Sequence, residues 1–127
     1  MKTVSVEWRH LDKDGKTCDR CAQTGEGVVE LVQQMNAECR PHGVRIVFRE
    51  TRLTEAEIDQ SNLILINGTP LEALLPTTTV STSPCCSCGD LTGREECCRT
   101  LVRFGQEHET IPQHFIREAI CAMAGCC

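Results

Sequence analysis

The sequence predicts a mixed α/β fold, a central sheet of about four to five strands with flanking helices and a cysteine-rich loop. Three observations predict it. Two segments alternate apolar and polar residues with the period of a strand, and two others carry an apolar stripe with the period of a helix. Ahead of the last of these, the apolar pattern gives way to Thr, Ser, Gly and Cys. A chain of 127 residues with 40% hydrophobic content can build its own core, so a single domain over residues 1–127 is expected.

Thr3 to Trp8 sets Val4, Val6 and Trp8 against Ser5 and Glu7, the alternation of a strand with one buried face. Asp12-Lys-Asp-Gly15 is turn-forming, and Cys18-Asp-Arg-Cys21 follows it. Val28, Leu31, Val32, Met35 and Cys39 share one helical stripe, which predicts a helix from residue 25 to 40 with Thr24 as its cap and Gly43 as its stop. Val44, Ile46 and Phe48 alternate as a second strand, and Thr54-Glu-Ala-Glu57 reads as a capping box opening a very short helix. Leu63-Ile-Leu-Ile66 has strand length, and Asn67-Gly68 signals a hairpin whose second strand is expected at Leu71 to Leu75.

Residues 76–99 are expected to form a cysteine-rich loop inserted before the C-terminal helix. Thr100 to Phe104 can add one short strand that turns at Gly105. Thr110-Ile-Pro-Gln113 is a second capping-box pattern, opening a helix to residue 124 with Ile111, Phe115, Ile116, Ala119, Ile120 and Met123 on its apolar face; Gly125 ends it.

The net charge of −5, the scattered Lys and Arg and a ring complement of one Trp and three Phe argue against nucleic acid as a partner. Met1 to His10 holds Glu7, Arg9 and His10 and no uninterrupted apolar run, so neither an export signal nor a membrane span is expected there, and a cytoplasmic protein is.

Eleven cysteines dominate what remains. A disulfide-stapled scaffold is disfavoured by the odd count and the ordinary apolar periodicity. Three pairs are adjacent in sequence, Cys85-Cys86, Cys97-Cys98 and Cys126-Cys127, and bridging such neighbours strains the backbone. Reduced thiols are therefore expected, as ligands or nucleophiles.

Cys18 and Cys21 precede a helix, whose N-terminal N–H groups and dipole favour a thiolate, so this pair is a candidate metal site or a redox-active catalytic pair. Cys85-Cys-Ser-Cys88 and Cys97-Cys98 bracket Gly89-Asp-Leu-Thr-Gly93, a segment that can turn back and gather Cys85, Cys86, Cys88, Cys97 and Cys98. Four thiolates at about 2.3 Å suit Zn²⁺, three suit As(III), and iron–sulfur clusters also take four. Cys126 and Cys127 lie beyond the last helix, where a mobile dithiol suits metal exchange with a protein partner. Cys39 is expected to be a small core residue and Cys121 an exposed singleton. His10, His42, His108 and His114 form no ligand spacing, and most are expected to be solvated.

The order strand, C-x-x-C, helix, strand, short helix, hairpin, helix resembles the thioredoxin superfamily over residues 3–75 and the last helix. Redox-active members carry a cis-proline before the strand facing the C-x-x-C, where this chain has Asp59-Gln-Ser-Asn62. Trp8, Thr17-Cys-Asp-Arg-Cys21, Thr24-Gly25, Ser61-Asn-Leu-Ile-Leu65, Pro70-Leu-Glu72, Cys88, Leu91-Thr-Gly93, Cys98 and Ile111-Pro112 resemble a prokaryotic family of unknown function, DUF2703, which implies a thioredoxin-like fold and no particular activity. The terminal Cys126-Cys127 also resembles the vicinal pairs of metalloid chaperones in arsenic resistance.

These readings converge on thiol-based binding of a soft metal or metalloid ion, in resistance, sensing or delivery. The alternatives are a thiol–disulfide oxidoreductase using Cys18 as nucleophile and Cys21 as resolving thiol, and a structural zinc-containing interaction module.

Overall fold

The computed structural model describes residues 2–127, and the side chains of all of these except Cys86 and Ser87. The alternating N-terminal segment forms β1 (Lys2–Leu11), which pairs in parallel with β2 (Val44–Leu53), from Lys2 opposite Val44 to Leu11 opposite Leu53. On its other side β1 runs antiparallel to β3 (Leu63–Ile66), which pairs with the two-residue β4 (Thr69–Pro70). The first sheet thus has the order β2-β1-β3-β4, and α1 (Asp19–Cys39) connects its two parallel strands. Parallel neighbours require such a crossover.

A second, antiparallel sheet is built from β5 (Thr78–Pro84), β6 (Cys97–Arg103) and β7 (Gln106–His108). Helix α2 (Leu71–Leu74) precedes it, α3 (Cys86–Thr92) spans the connection from β5 to β6, and α4 (Gln113–Ala124) follows. The expectation of one central sheet with a cysteine-rich loop is corrected here: residues 76–99 hold β5, α3 and the start of β6. Strand β5 is exposed along most of its length, so no buried alternation betrays it in sequence. It exists because Thr78 to Pro84 pair with Arg103 to Cys97 of β6, whose Cys98, Thr100 and Leu101 are buried.

Leu71 to Leu75 is likewise a helical turn where a strand was expected. Pro70 has no N–H to continue the hairpin ladder, and its fixed φ starts the turn instead. The capping box at Thr54 is present as read, with the Glu57 side chain returned to the Thr54 N–H, and it opens a 3-10 helix over Glu55–Gln60.

Helix α1 begins six residues earlier than its apolar stripe suggests, with Cys18 at its N-cap. Thr24, read as its cap, and Gly25, read as its first residue, lie inside it for a packing reason. A Cβ on Gly25 would sit closer than 3.0 Å to three atoms of the buried Trp8 indole, so only glycine lets α1 settle onto β1. Thr24 is buried with its hydroxyl bonded on two sides, accepting from Asn62 Nδ2 at 3.1 Å and from the Ile111 N–H at 3.2 Å. Gly25→Val is accordingly expected to cost about 3 kcal/mol, the upper range for overpacking a tight core. Urea denaturation measures it, and a loss under about 0.5 kcal/mol would refute this reading of the contact.

The core joins both sheets. Val4 and Val6 of β1, Val28 and Met35 of α1, Ile64 and Ile66 of β3, Leu101 of β6 and Ile116 and Ile120 of α4 are 0–2% exposed and belong to one cluster. Burying each such side chain contributes about 1.5–3 kcal/mol. Cys18, Cys21, Cys85, Cys88 and Cys98 belong to that same cluster. No helix among the described residues is long and apolar enough to cross a membrane.

Candidate metal centre

The sulfur-bearing part of the core forms where three elements meet. Cys18 has extended backbone at the N-cap of α1, and its carbonyl accepts the Ala22 N–H at 2.9 Å. Cys85 occupies the same position on α3, its carbonyl accepting from Gly89 at 3.0 Å while its own N–H donates to the Glu96 carbonyl at 2.8 Å. Cys88 comes one turn later on α3, and Cys98 is the second residue of β6.

The intervening glycines allow this closure. A Cβ on Gly89 would lie 2.8 Å from the Arg94 carbonyl oxygen, so glycine lets the returning chain pass directly over α3. Gly93 ends α3 at φ +75°, a left-handed conformation that glycine adopts without strain. Arg20 ties this arrangement to α1: its guanidinium donates to the Pro84 carbonyl at 2.6 Å and pairs with Glu109 at 3.2 Å.

The Sγ atoms of Cys18, Cys85, Cys88 and Cys98 all lie within 4.8 Å of one another. All four residues are buried, at 0, 4, 0 and 1% exposure. The Cys98 thiol lies 3.1 Å from Cys88 Sγ. Such a group of buried soft donors can hold a metal ion.

Hydrogen bonds distribute charge unevenly over these sulfurs. The Cys18 thiol is pushed far below its ordinary value, first by a hydrogen bond from Cys21 and then by those from Cys88 and Cys98. The sulfurs that donate to it move the opposite way. Cys21 is raised by its bond to Cys18 and by burial, and Cys88 and Cys98 are raised above all by their bonds to Cys18.

This grouping redraws the one expected from sequence. Cys18 joins the cysteines of residues 85–98, while Cys21, one turn into α1, lies outside the four, bonded to Cys18 and to Ser61 Oγ at 3.1 Å. Cys97 is exposed, because successive strand residues face opposite ways and Cys98 takes the inward face. The Cys86 side chain lies outside the described residues.

Cys126 and Cys127, expected as a mobile dithiol, are held in disulfides: Cys39 pairs with Cys126 and Cys121 with Cys127. Cys39 lies in the core as expected, with a disulfide added, whereas the reading of Cys121 as an exposed singleton is corrected: it is half-buried and paired. Adjacent cysteines avoid the strain of bridging each other by taking separate partners.

An open cavity of about 920 Å³ borders the cluster, lined by Pro84, Cys85, Asp90, Arg94, Glu96 and Cys97 among others. It gives Cys85 a route to solvent, with carboxylates along the way. One residue that sequence reasoning set aside is also built in. His10 is buried, stacked on Trp8 with ring centroids 3.8 Å apart; its Nε2 lies 2.8 Å from Glu50 Oε2 and its Nδ1 3.2 Å from the hydroxyl of Thr17, the neighbour of Cys18. Its place in the inward set of β1, with Val4, Val6 and Trp8, was the available signal.

Against known proteins, the sequence profile of the family described as a domain of unknown function, DUF2703, matches residues 4–120. An archaeal protein from Archaeoglobus fulgidus, described as uncharacterized, is 35% identical over 98 residues, covering 74% of this chain and 69% of its own length. No solved structure matches. With the match spanning α1, α3 and β6, the three elements that carry the cluster, the chain belongs to the DUF2703 family.

Proposed function

We propose that this protein binds one soft metal ion through Cys18, Cys85, Cys88 and Cys98, on a thioredoxin-like scaffold. The observation that carries the reading is the convergence of four buried sulfurs from α1, α3 and β6 within 4.8 Å. Tetrahedral bonds of about 2.3 Å put thiolates about 3.8 Å apart, so this set suits a single ion such as Zn²⁺. A cluster of several irons spreads its four cysteines more widely, and three-coordinate As(III) would leave one of the four unused. The order β1, C-x-x-C, α1, β2, hairpin, α4, together with the mixed β2-β1-β3-β4 sheet, supports the scaffold.

The cavity beside Cys85, with Cys97 exposed on its wall, supports a role in taking up and handing on metal rather than in pinning a loop. Because a cysteine sulfur must be deprotonated to bind, loading the site releases protons, so affinity rises with pH and falls on acidification. The test is elemental analysis with thiol counting on protein purified anaerobically and loaded with Zn²⁺. About one equivalent is expected, with Cys18, Cys85, Cys88 and Cys98 protected from alkylation. Unprotected thiols at full Zn²⁺ loading, or no retained metal, would sink the proposal.

The hydrogen bond from Cys21 to the Cys18 thiolate favours a second reading, thiol–disulfide exchange with Cys18 as nucleophile and Cys21 as resolving thiol. It ranks second because Cys18 is 0% exposed, which shields its sulfur from an incoming disulfide. Reversible formation of a Cys18–Cys21 disulfide at cellular potentials, with no metal retained, would reverse that order.

A further inference from the structure

Helix α1 carries sulfur at both ends. Cys18 caps its N-terminus, and Cys39 is the last of its 21 residues, about 30 Å away along the axis. Helix α4 packs beside α1, joined to it by Gln113 Nε2 donating to the Gly27 carbonyl at 3.1 Å in the first half of α1 and by the Arg117–Glu38 ion pair at that far end. Gly125 ends α4 at φ +68°, its N–H bonded to the Cys121 carbonyl at 2.9 Å, and turns the chain back toward the two helices.

Cys126 then reaches Cys39 on α1, and Cys127 reaches Cys121 on α4, each with a Cα separation of 5.4 Å. Adjacent Cα atoms are about 3.8 Å apart, so one dipeptide gathers four sulfurs, its own two and one each from α1 and α4. None of them belongs to the set at the other end of the helix.

We propose that reduction of these two disulfides opens a second soft-metal site, in which Cys39, Cys121, Cys126 and Cys127 together take one tetrahedral divalent cation. The reductant is a dithiol. Its thiolate attacks the exposed Cys127 sulfur, and the S–S bond breaks with Cys121 leaving as a thiolate. The second thiol of the reductant then releases Cys127 and closes the reductant's own disulfide. A second dithiol acts in the same way on half-buried Cys126 and frees the buried Cys39. Two dithiols are oxidised and four cysteines reduced. Binding a divalent cation as a tetrathiolate then releases four protons, or as many as the cysteines still hold.

The experiment titrates the full chain with Cd²⁺ by calorimetry, first with both disulfides intact and then after reduction by a phosphine. One equivalent is expected before reduction and two after it. The Cys126→Ser/Cys127→Ser double variant should bind one in either state, and Cys85→Ser/Cys88→Ser should bind one only when reduced. Equal stoichiometry before and after reduction, or a second equivalent that survives loss of Cys126 and Cys127, would overturn the proposal. Where a variant does not fold, alkylation mapping of the reduced parent decides: Cd²⁺ must protect Cys39, Cys121, Cys126 and Cys127. A protein that binds nothing when oxidised, and one equivalent at these four cysteines when reduced, would defeat the Cys18 centre and leave this one standing.

Discussion

Cys88→Ser is expected to lower Zn²⁺ affinity by about a hundredfold or more. Closed cysteine sites hold Zn²⁺ with about 10–16 kcal/mol at neutral pH, so one of four thiolates accounts for roughly 3 kcal/mol, or two decades in affinity. Serine keeps the size of the side chain and removes the soft, ionisable donor. Cys88 is 0% exposed, so water cannot readily replace the lost ligand. Cys97→Ser is the paired control: its sulfur faces solvent one residue from Cys98, and affinity should stay within about threefold. Competition against a chromophoric chelator measures both. Equal affinities for the two variants would remove Cys88 from the ligand set. Because metal binds the folded chain preferentially, the parent should also gain about 2.7 kcal/mol of stability at a hundredfold excess of Zn²⁺ over Kd, and Cys88→Ser should gain far less.

The second large effect belongs to the Cys39–Cys126 disulfide. It joins residues 87 positions apart, and closing so long a loop limits the unfolded chain by an amount worth about 4–5 kcal/mol in the chain-entropy account, with about 2–4 kcal/mol usually realised. Cys126→Ser is expected to cost about 3 kcal/mol, which lowers Tm by about 10 °C for a chain of this size. The Cys121–Cys127 bridge spans six positions, so Cys127→Ser should cost less. Thermal unfolding in a metal chelator, with and without phosphine, tests this. With phosphine present for both, the parent should converge on Cys126→Ser. A Tm of the parent that phosphine leaves unmoved would refute the structural weight given to this bridge.

Elements whose own burial pattern is periodic are legible in the amino-acid sequence alone. The alternation of Val4, Val6 and Trp8 marks β1, the stripe from Val28 to Cys39 marks the body of α1, and Phe115 to Ile120 mark α4. Helix starts are less legible. At α1 the first two turns pack through Cys18, Cys21 and Gly25 instead of large apolar residues, and at α4 Thr110 bonds Gln23 and leaves Pro112 at the N-cap. Strand β5 is invisible in the sequence because its only reason to be extended is its partner β6.

By itself, the sequence determined that cysteines are its most abundant soft metal-ligating side chains, that a C-x-x-C opens its first helix and that the Gly89 to Gly93 segment can fold back on itself. Only the tertiary structure decided which sulfurs meet. Spacing along a chain reports on neighbours within a turn or a strand, whereas Cys18 finds Cys85 and Cys88 across 67 or more positions and Cys39 finds Cys126 across 87. Those meetings are set by how α1 lies on the sheet against Trp8 and by where α3 and α4 pack along it. The same helix therefore holds a thiol cluster at one end and a pair of disulfides at the other, since contacts between distant segments follow from packing a shared core and local pattern does not encode them.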